Sequence, residues 1–401
     1  MKNKTINNRT MQKSNLSLVL RTIFDLRHVS RKELAEVTGL TPSTVTNIVN
    51  RLLEEGYIIE TGEGESDCGR KPIILEINED KAWIVGVELS ADRIIGIITG
   101  FSGEVRHRAM HKLMHGSPVE ATVDTLCDLV RRLMDLSGAT RESVLGIGIM
   151  SAGPYDRERG VMINSPNFKW RGEVPIRTLI CDRLGIPVFF DRDSVGCAMA
   201  ELDSESCHTF SSIQAVMVNT IGIGGGLIID GEVYYGLNNC AAEIGHITVL
   251  PGGPLCGCGD AGCLEAVSTG DAILRDVRER VSAGETSSLR RNSDISMEDM
   301  IAAFRTGDPL CVDAVERAAG YLALVIDNII KTVSPECVVL GGSFMELLPE
   351  YYTLVTERAG NRLYDPTFQP TQLFPFSYRE IQSAMGAVKL VLTEFFLSLN
   401  S

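Results

Sequence analysis

The pattern of hydrophobic residues changes near residue 80, and this change constrains the fold more than any other feature of the chain. Before it, apolar residues recur at helical spacing and predict three short helices. After it, short apolar runs that predict strands alternate with helical stretches, and glycines follow several of the runs. Strands and helices in alternation form sheets covered by helices. At 401 residues, the chain is long enough for two or three domains.

The part after residue 80 divides into two α/β halves. The first half has predicted strands at 83–89, 94–98, 144–149 and 187–190, with a helix at 118–136. The second half has a strand at 215–218, a glycine turn at 222–226, a long helix at 322–333 and a strand at 337–340. Glycine turns at the ends of strands in two such halves predict a ligand-binding cleft between them.

The first 80 residues predict a winged helix-turn-helix. Ser30 and Glu33 have the spacing of a capping box, Gly39 ends the second helix, and Thr41 precedes a third helix that begins with Pro42. An apolar stripe on the third helix leaves its polar side chains exposed to a DNA groove. The candidate DNA-binding residues are Thr41, Ser43, Thr44, Thr46, Asn47 and Arg51 on this helix, with Arg70 and Lys71 in the wing. The alternative is a helical bundle with a hairpin that binds protein.

Charge and composition indicate the class of partner and the compartment. Residues 1–53 hold nine basic and three acidic residues, a net charge of +6. The net charge of the whole chain is −14, so the remaining residues carry −20. A basic head on an acidic body is typical of a protein that presents only its head to a polyanion, although a basic segment without a partner has the same charge. The sequence contains no run of eighteen apolar residues, so it predicts no membrane-spanning helix. A polar N-terminus and eleven scattered cysteines predict a cytoplasmic protein with reduced thiols.

One histidine and three cysteines form a candidate metal site. His246, Cys256, Cys258 and Cys263 lie within eighteen residues, and Cys₃His is one of the sets that bind structural Zn²⁺. The glycines between the cysteines (Gly257, Gly259 and Gly262) predict tight turns with positive φ angles. The alternative is a group of reduced thiols that holds no metal.

These residues resemble the ROK family, which comprises repressors, open reading frames and kinases. The resemblance covers 82–401 and rests on the glycine signature at 222–226 with 242–246 and on the Cys-x-Cys-Gly-x-x-Gly-Cys-x-Glu motif at 256–265. The Gly-Arg-Lys-Pro wing at 69–72 is similar to that of the family's sugar-responsive repressors.

The resemblance implies an actin-like α/β fold of the sugar-kinase and ribonuclease H type, with two lobes. A winged helix-turn-helix would occupy 1–80 and the ROK domain 81–401. Within the ROK domain, lobe one would cover about 81–192 with the C-terminal helix 383–401, and lobe two about 193–382.

The resemblance also allows two activities, sugar phosphorylation or sugar sensing. Family kinases bind ATP through an Asp-x-Gly-Gly-Thr loop, whereas the matching stretch here is Glu88-Leu89-Ser90-Ala91-Asp92. Side chains replace both glycines, and Asp92 adds a negative charge where phosphates would lie. A second phosphate loop reads Thr-Ile-Gly at 220–222 in place of Gly-Thr-Gly. We therefore expect a protein that is not an enzyme; the alternative is an active ATP-dependent hexokinase-type ROK kinase with an added DNA-binding head.

A sugar pocket is implied by matches to the family's sugar-contacting positions, which fall on Asn167, Asp193, Glu243, His246 and Glu265. Asp193 takes the position of the general base of the kinases. Arg192 precedes it where the family has asparagine. This arginine could bind an acidic or phosphorylated sugar, or it could pair with Asp193 and block the site.

Partners follow from the same resemblance. It implies a homo-oligomer, a dimer or a tetramer, that binds a palindromic double-stranded DNA operator and releases it when a sugar or sugar phosphate binds. Zinc would shape the loop that carries His246 and would not catalyse a reaction. A third hypothesis is control by a regulatory protein partner.

Overall fold

The computed structural model describes residues 8–63, 72–114, 116–165, 167–289, 294–359 and 370–400. The chain forms two compact units, which we call unit one (Met1–Asp191 with Ala387–Ser401) and unit two (Arg192–Gly386). The chain therefore passes between the units twice, after Asp191 and after Gly386.

Unit one begins with the winged helix-turn-helix that the sequence predicts. Its elements are α1 (Asn8–Leu26), β1 (Val29–Ser30), α2 (Arg31–Thr38), α3 (Pro42–Glu54), β2 (Ile58–Glu63) and β3 (Ile73–Ile77). The strands form a small sheet in the order β1-β3-β2. Ser30 and Glu33 form the expected capping box, and Gly39 ends α2 at a φ of 68°. Thr41 caps α3, and Pro42 is its first residue.

The rest of unit one is built on a five-stranded sheet. Its elements are β4 (Trp83–Leu89), β5 (Arg93–Thr99), β6 (Val105–Lys112), α4 (Val119–Ser137), β7 (Val144–Ser151), β8 (Tyr155–Asp156), β9 (Val161–Ile163), β10 (Glu173–Val174), α5 (Ile176–Leu184) and β11 (Val188–Arg192). The sheet order is β11-β7-β4-β5-β6, and β8 to β10 form a separate small sheet. Strand β4 runs parallel to β7 and antiparallel to β5. The apolar faces of α4 and α5 are buried in the same core as these strands.

Unit two contains a second five-stranded sheet. Its elements are α6 (Asp193–Glu201), β12 (Ile213–Val218), β13 (Ile223–Ile229), β14 (Glu232–Val233), α7 (Leu264–Ser268), α8 (Gly270–Ala283), α9 (Met297–Arg305), α10 (Pro309–Thr332), β15 (Cys337–Gly341), α11 (Ser343–Leu347), α12 (Pro349–Arg358) and β16 (Gln372–Pro375). The sheet order is β14-β13-β12-β15-β16. Helix α10 begins at Pro309, well before residue 322, the start that the sequence predicts. Asp308 caps its N-terminus, and its first half buries mostly small side chains, which gave a weak hydrophobic pattern.

The last helix, α13 (Gln382–Leu399), begins in unit two and ends in unit one. Among the described residues, Arg379–Leu399 is the one helix long and apolar enough to cross a membrane by length and composition, with a mean hydropathy of 1.2. Its most apolar stretch is 56% buried within the protein, as is common for the core helices of soluble proteins.

An aromatic cluster joins the end of α13 to the winged helix. We use this name for Phe24, Tyr57, Phe101, Phe395 and Phe396. The ring centroids of Phe101 and Phe395 lie 5.5 Å apart, and those of Phe24 and Phe396 lie 5.7 Å apart. The rings of Tyr57 and Phe101 are 5.9 Å apart. Aromatic pairs at such distances stabilise a core beyond the area that they bury. The winged helix, which we call the head, therefore shares a core with the α/β part of unit one.

Candidate functional site

The glycines of β13 allow α6 to pack closely against the strand. A Cβ atom added at Gly224 would lie 2.8 Å from Cβ of Ser194, and one added at Gly226 would lie 2.9 Å from Cβ of Ala198. Both distances are shorter than carbon contacts in a well-packed core. Part of the glycine signature at 222–226 therefore serves packing, and this packing fixes the first turn of α6, where Asp193 lies.

Asp193 is a recessed carboxyl group at the start of α6. The backbone N–H of Ser194 donates a hydrogen bond to Asp193 Oδ1 at 2.8 Å. Burial raises the pKa of Asp193 to about 6, and this effect outweighs the lowering by the Ser194 N–H and by Arg192. Because this pKa lies close to neutrality, the group can accept hydrogen bonds from sugar hydroxyls as a carboxylate, or donate one when it is protonated.

Arg192 forms an ion pair with Glu243. Its second terminal nitrogen donates a hydrogen bond to the carbonyl oxygen of Ala241 at 3.1 Å. The Arg192 side chain is 15% exposed, whereas that of Glu243 is 46% exposed. The sequence analysis considered an ion pair of Arg192 with Asp193, whereas the ion pair seen in the structure is with Glu243. Sequence reasoning did not find this contact, because no local pattern links positions 51 residues apart.

The four predicted metal ligands come together in unit two. The ligand atoms of His246, Cys256, Cys258 and Cys263 all lie within 4.8 Å of one another. Cys256 Sγ is 3.7 Å from His246 Nδ1, and the sulfurs of Cys258 and Cys263 are also 3.7 Å apart. Ligands about 2.3 Å from a central ion at the corners of a tetrahedron lie about 3.8 Å from one another. The donor set therefore fits a tetrahedral metal ion.

Two glycines shape the loop that carries the cysteines. Gly259 and Gly262 have φ angles of 103° and 76°, as the sequence predicts. A Cβ at Gly262 would come 2.5 Å from the carbonyl carbon of Leu250, so only glycine fits there. Gly257 does not have a positive φ, and a Cβ added there would meet no atom within 4 Å. The prediction for Gly257 was therefore wrong, because the loop turns at the other two glycines.

Glu265 connects the metal cluster to the glycine turn. Its Oε2 accepts a hydrogen bond from the backbone N–H of Ile223 at 3.2 Å, and its Oε1 lies 3.8 Å from Cys256 Sγ. His246 directs Nδ1 toward Cys256, which leaves its Nε2 for other contacts. The predicted sugar-contacting residues of unit two thus fall into one pair, Asp193 with Glu243, and one group around the cysteines.

Asn167 belongs to unit one and is exposed. The loop around it is ordered by Phe168 and Trp170, whose rings stack with centroids 4.5 Å apart. Trp170 Nε1 also donates a hydrogen bond to the carbonyl oxygen of Ser117 at 2.9 Å. These contacts fix the backbone next to Asn167. The role of Asn167 in sugar binding stays a prediction.

The segments that match the family's phosphate loops in the sequence make local hydrogen bonds. Asn219 Oδ1 accepts hydrogen bonds from Ser343 N at 2.9 Å and Ser343 Oγ at 3.2 Å. In the other loop, Ser90 Oγ donates a hydrogen bond to Glu88 at 3.2 Å. A Cβ at Gly341 would lie 2.8 Å from Cβ of Phe376, so this glycine is required for packing. Ser90, which stands where the resemblance places a glycine, thus has a hydrogen-bond partner within the protein.

The candidate DNA-binding residues of α3 are exposed or half-buried on one helix. Thr41 Oγ1 caps the helix by accepting a hydrogen bond from Thr44 N at 3.3 Å. Thr46 Oγ1 donates to the carbonyl oxygen of Pro42 at 2.8 Å, and Arg51 pairs with Glu55 at 2.7 Å. Ser43 and Asn47 are exposed. Arg70 and Lys71 lie outside the described residues.

Residue Arg31 was missed by sequence reasoning. It begins α2, pairs with Glu60 of β2 at 3.0 Å and approaches Asn50 Oδ1 of α3 at 3.4 Å. It thereby links α3 to β2. A single arginine at a helix start carries no sequence signal for such a link.

Residues 84–394 match the ROK family. The chain belongs to the ROK family. Residues 18–59 match a winged helix-turn-helix DNA-binding domain. The ROK match extends over both units, and the winged-helix match lies inside unit one.

Known relatives of this ROK protein include repressors and kinases. The xylose repressor of Caldicellulosiruptor bescii is 28% identical over 391 residues, which cover 97% of this chain and 98% of the repressor. A glucokinase of Thermotoga maritima is 31% identical over 258 residues, 62% of this chain and 77% of the kinase. The crystal structure of a ROK family transcriptional regulator, a homologue of the E. coli MLC protein, superimposes with a TM-score of 0.78 at 25% identity and covers 98% of each chain.

Proposed function

We propose that this ROK protein is a sugar-responsive transcriptional repressor of genes of carbohydrate metabolism. The observation that carries the proposal is a winged helix and a ROK domain in one chain, similar from end to end to a xylose repressor. The protein would act in the cytoplasm as a homodimer or tetramer on a palindromic operator. We also propose 1–80 as the DNA-binding domain and 81–401 as the effector domain, with lobes that divide near 192.

DNA binding would use α3 as the recognition helix. Its N-terminus presents Thr41, Ser43 and Thr44, where hydroxyls and backbone N–H groups suit phosphate oxygens. Asn47 is exposed one turn further on, and an asparagine can make two hydrogen bonds to an adenine edge in the major groove. The balance of +6 in residues 1–53 favours approach to DNA, while the acidic body disfavours contact elsewhere.

The effector would be a sugar held by Asn167, Asp193, Glu243, His246 and Glu265. The charges of Arg192 and Glu243 both act on the pKa of Asp193, which supports a polar site at the start of α6. Phosphoryl transfer is not part of the proposal, because side chains stand at the two glycine positions of the first phosphate loop and Asp92 adds a negative charge.

We propose Zn²⁺ as the ion of the His246, Cys256, Cys258 and Cys263 cluster. Three sulfurs and one imidazole are a zinc ligand set, and the donor distances match a tetrahedron. When bound, the ion would neutralise thiolates and hold the loop. All four donors come from the protein, so no position remains for a reactive water. The cluster would fix His246 and Glu265 as effector contacts.

Operator binding is the deciding experiment. The full chain is used to select fragments from a random double-stranded DNA library, and the affinity for the selected site is measured by gel shift. We expect Asn47→Ala to weaken this affinity about 5- to 150-fold, the loss of about 1–3 kcal/mol that a base contact supplies. The control is Thr125→Ala, a half-buried threonine of α4, which should bind as the unchanged protein does.

The same preparation is tested for ATP turnover with pentoses and hexoses. Selected DNA that is released by a sugar, without ATP turnover, supports the repressor. ATP-dependent phosphorylation of a hexose without selection of any DNA site would contradict it and favour the kinase alternative. DNA binding that no sugar changes would point to control by a protein partner.

A further inference from the structure

Two buried cysteines of unit two lie in contact with each other, outside the metal cluster. Cys207 lies between α6 and β12, and Cys337 is the first residue of β15. Their sulfur atoms are 3.8 Å apart, and neither residue is exposed to solvent. The two positions are 130 residues apart in the sequence, so only the folded chain brings these thiols together.

The distance between the two sulfurs is short enough for a disulfide to form after a small movement. The sulfurs of a disulfide are about 2.05 Å apart, so those of Cys207 and Cys337 would have to approach by about 1.8 Å. Cys337 is fixed in an inner strand of the sheet, in the order β14-β13-β12-β15-β16. Cys207 lies in a segment of turns, which adjusts more readily than a strand. The segment that carries Cys207 is therefore the part that moves.

This segment also provides access to the buried thiols. Ser206 and His208 are exposed on either side of Cys207, whose own side chain is buried in a small apolar core with that of Cys337. A buried thiol is unreactive as long as it stays covered. Surface segments open locally at a much lower free energy than the whole fold, so a brief opening of a few residues admits a small oxidant to Cys207.

The hydrogen bond between the two thiols gives them different roles. The S–H group of Cys337 donates to the sulfur of Cys207, which lowers the pKa of Cys207 because the hydrogen bond stabilises its thiolate. The same hydrogen bond raises the pKa of Cys337, and burial raises it further. The thiolate is the nucleophile in the oxidation of cysteine. Cys207 is thus the thiol that reacts first, and Cys337 is the second thiol held against it.

We propose that Cys207 and Cys337 are an oxidation site at which a hydroperoxide forms a reversible disulfide. The Cys207 thiolate attacks one oxygen of hydrogen peroxide, the O–O bond breaks, and a sulfenic acid and hydroxide result. The sulfur of Cys337 then forms the S–S bond, and the sulfenic hydroxyl leaves as water with the proton of Cys337. The two thiols lose two electrons and two protons in total, and the peroxide is reduced to two waters. This site lies outside the proposed sugar sensing and does not depend on it.

The disulfide would link the segment after α6 to an inner strand of the sheet of unit two. Such a link across 130 residues stabilises a protein mainly because it restricts the unfolded chain. We therefore expect oxidation to raise the unfolding temperature by about 5–10 °C, and reduction with dithiothreitol to reverse the rise. Under reducing conditions the pair stays as two thiols, so the link forms only when peroxide is present.

The test maps the disulfide in the full chain. The reduced protein is treated with hydrogen peroxide, unfolded and alkylated, so that every remaining thiol is blocked. Digestion without a reductant, followed by mass spectrometry, identifies the linked peptides. We expect one linked pair that contains Cys207 and Cys337 and that disappears after treatment with dithiothreitol.

Variants show whether this pair causes the rise in unfolding temperature. Cys207→Ala and Cys337→Ala should each lose the rise, while oxidation of other cysteines continues in both variants. The control is Cys311→Ala, which removes another fully buried cysteine of unit two and should keep both the link and the rise. The unfolding temperatures of the reduced variants identify any that fails to fold, and the peptide map of the unchanged protein does not depend on them.

Three results would overturn the inference or its consequence. Alkylated Cys207 and Cys337, at a peroxide concentration that oxidises the exposed Cys240, would overturn the oxidation site. A link from either residue to another cysteine would overturn the pairing. A Cys207–Cys337 disulfide that leaves the unfolding temperature unchanged would overturn its stabilising role. DNA selection and sugar response are measured separately on the reduced protein, so none of these results decides the proposed function.

Discussion

Substitution of Gly386 by alanine should force apart α6 and α13. Gly386 lies where α13 crosses α6, and its backbone faces that of Gly196. A Cβ at 386 would overlap the carbonyl oxygen of Gly196 and lie 2.5 Å from its Cα. Because ordinary carbon contacts are about 3.5–4 Å, the helices would have to separate by about 1 Å.

The magnitude is the balance of two opposing effects. Alanine is favoured over glycine inside a helix by about 1 kcal/mol. Overpacking in a core costs about 1–3 kcal/mol, and here the upper end applies because backbone, rather than a flexible side chain, blocks the new atom. The free energy of unfolding should therefore fall by about 1–2 kcal/mol.

Gly320 provides the matched control. It also lies inside a helix, α10, but a Cβ added there would meet no atom within 4 Å outside its own helical turns. Gly320→Ala should therefore stabilise the protein by about 0.5–1 kcal/mol. Urea unfolding of the three proteins, followed by circular dichroism, gives the two changes. If both substitutions stabilise the protein to the same extent, the close approach of α6 and α13 is refuted.

Two further predictions concern the metal cluster and Asp193. Cys256→Ser removes one of four donors, so the zinc content measured by atomic emission should fall below one ion per chain and the unfolding temperature should drop. The control, Cys240→Ser, changes an exposed cysteine outside the cluster and should keep the metal. Full zinc content in Cys256→Ser would exclude the cluster as the metal site. The raised pKa of Asp193 means that the folded protein loses stability as the pH rises from about 4 to about 6, because the carboxyl ionises less readily than in the unfolded chain. Asp193→Asn should therefore be more stable than the unchanged protein at pH 7.5, by at most about 3 kcal/mol, and the difference should vanish near pH 4; a difference in unfolding temperature that is independent of pH would contradict this.

Features that depend on neighbours in the sequence could be predicted. The Ser30 and Glu33 capping box and the Thr41-Pro42 start of α3 are formed by hydrogen bonds and dihedral preferences within four residues. The clustering of the four metal ligands also followed, since they lie close along the chain and family motifs fix their spacing.

Contacts between distant residues could not be predicted. The ion pair of Arg192 and Glu243 and the aromatic contact of Phe101 with Phe395 join positions that only the folded backbone brings together. The glycines of β13 were recognisable in the sequence as a motif. Their role in packing could not be predicted, because it depends on the close approach of α6 in the folded protein. The bend at Gly259 and Gly262, without Gly257, likewise depends on a neighbour, since Leu250 excludes a side chain at Gly262.

The aromatic cluster also determines when the head can complete its fold during synthesis. Phe24 and Ser17 leave the ribosome long before Phe395 and Phe396, against which the head packs, since 379 positions separate Ser17 from Phe396. At roughly 5–20 residues per second, the recognition helix waits roughly 20–70 s for its final packing partner. A chain released before α13 is translated would lack this support, so stable attachment of the head, and with it tight operator binding, would require translation past Phe396.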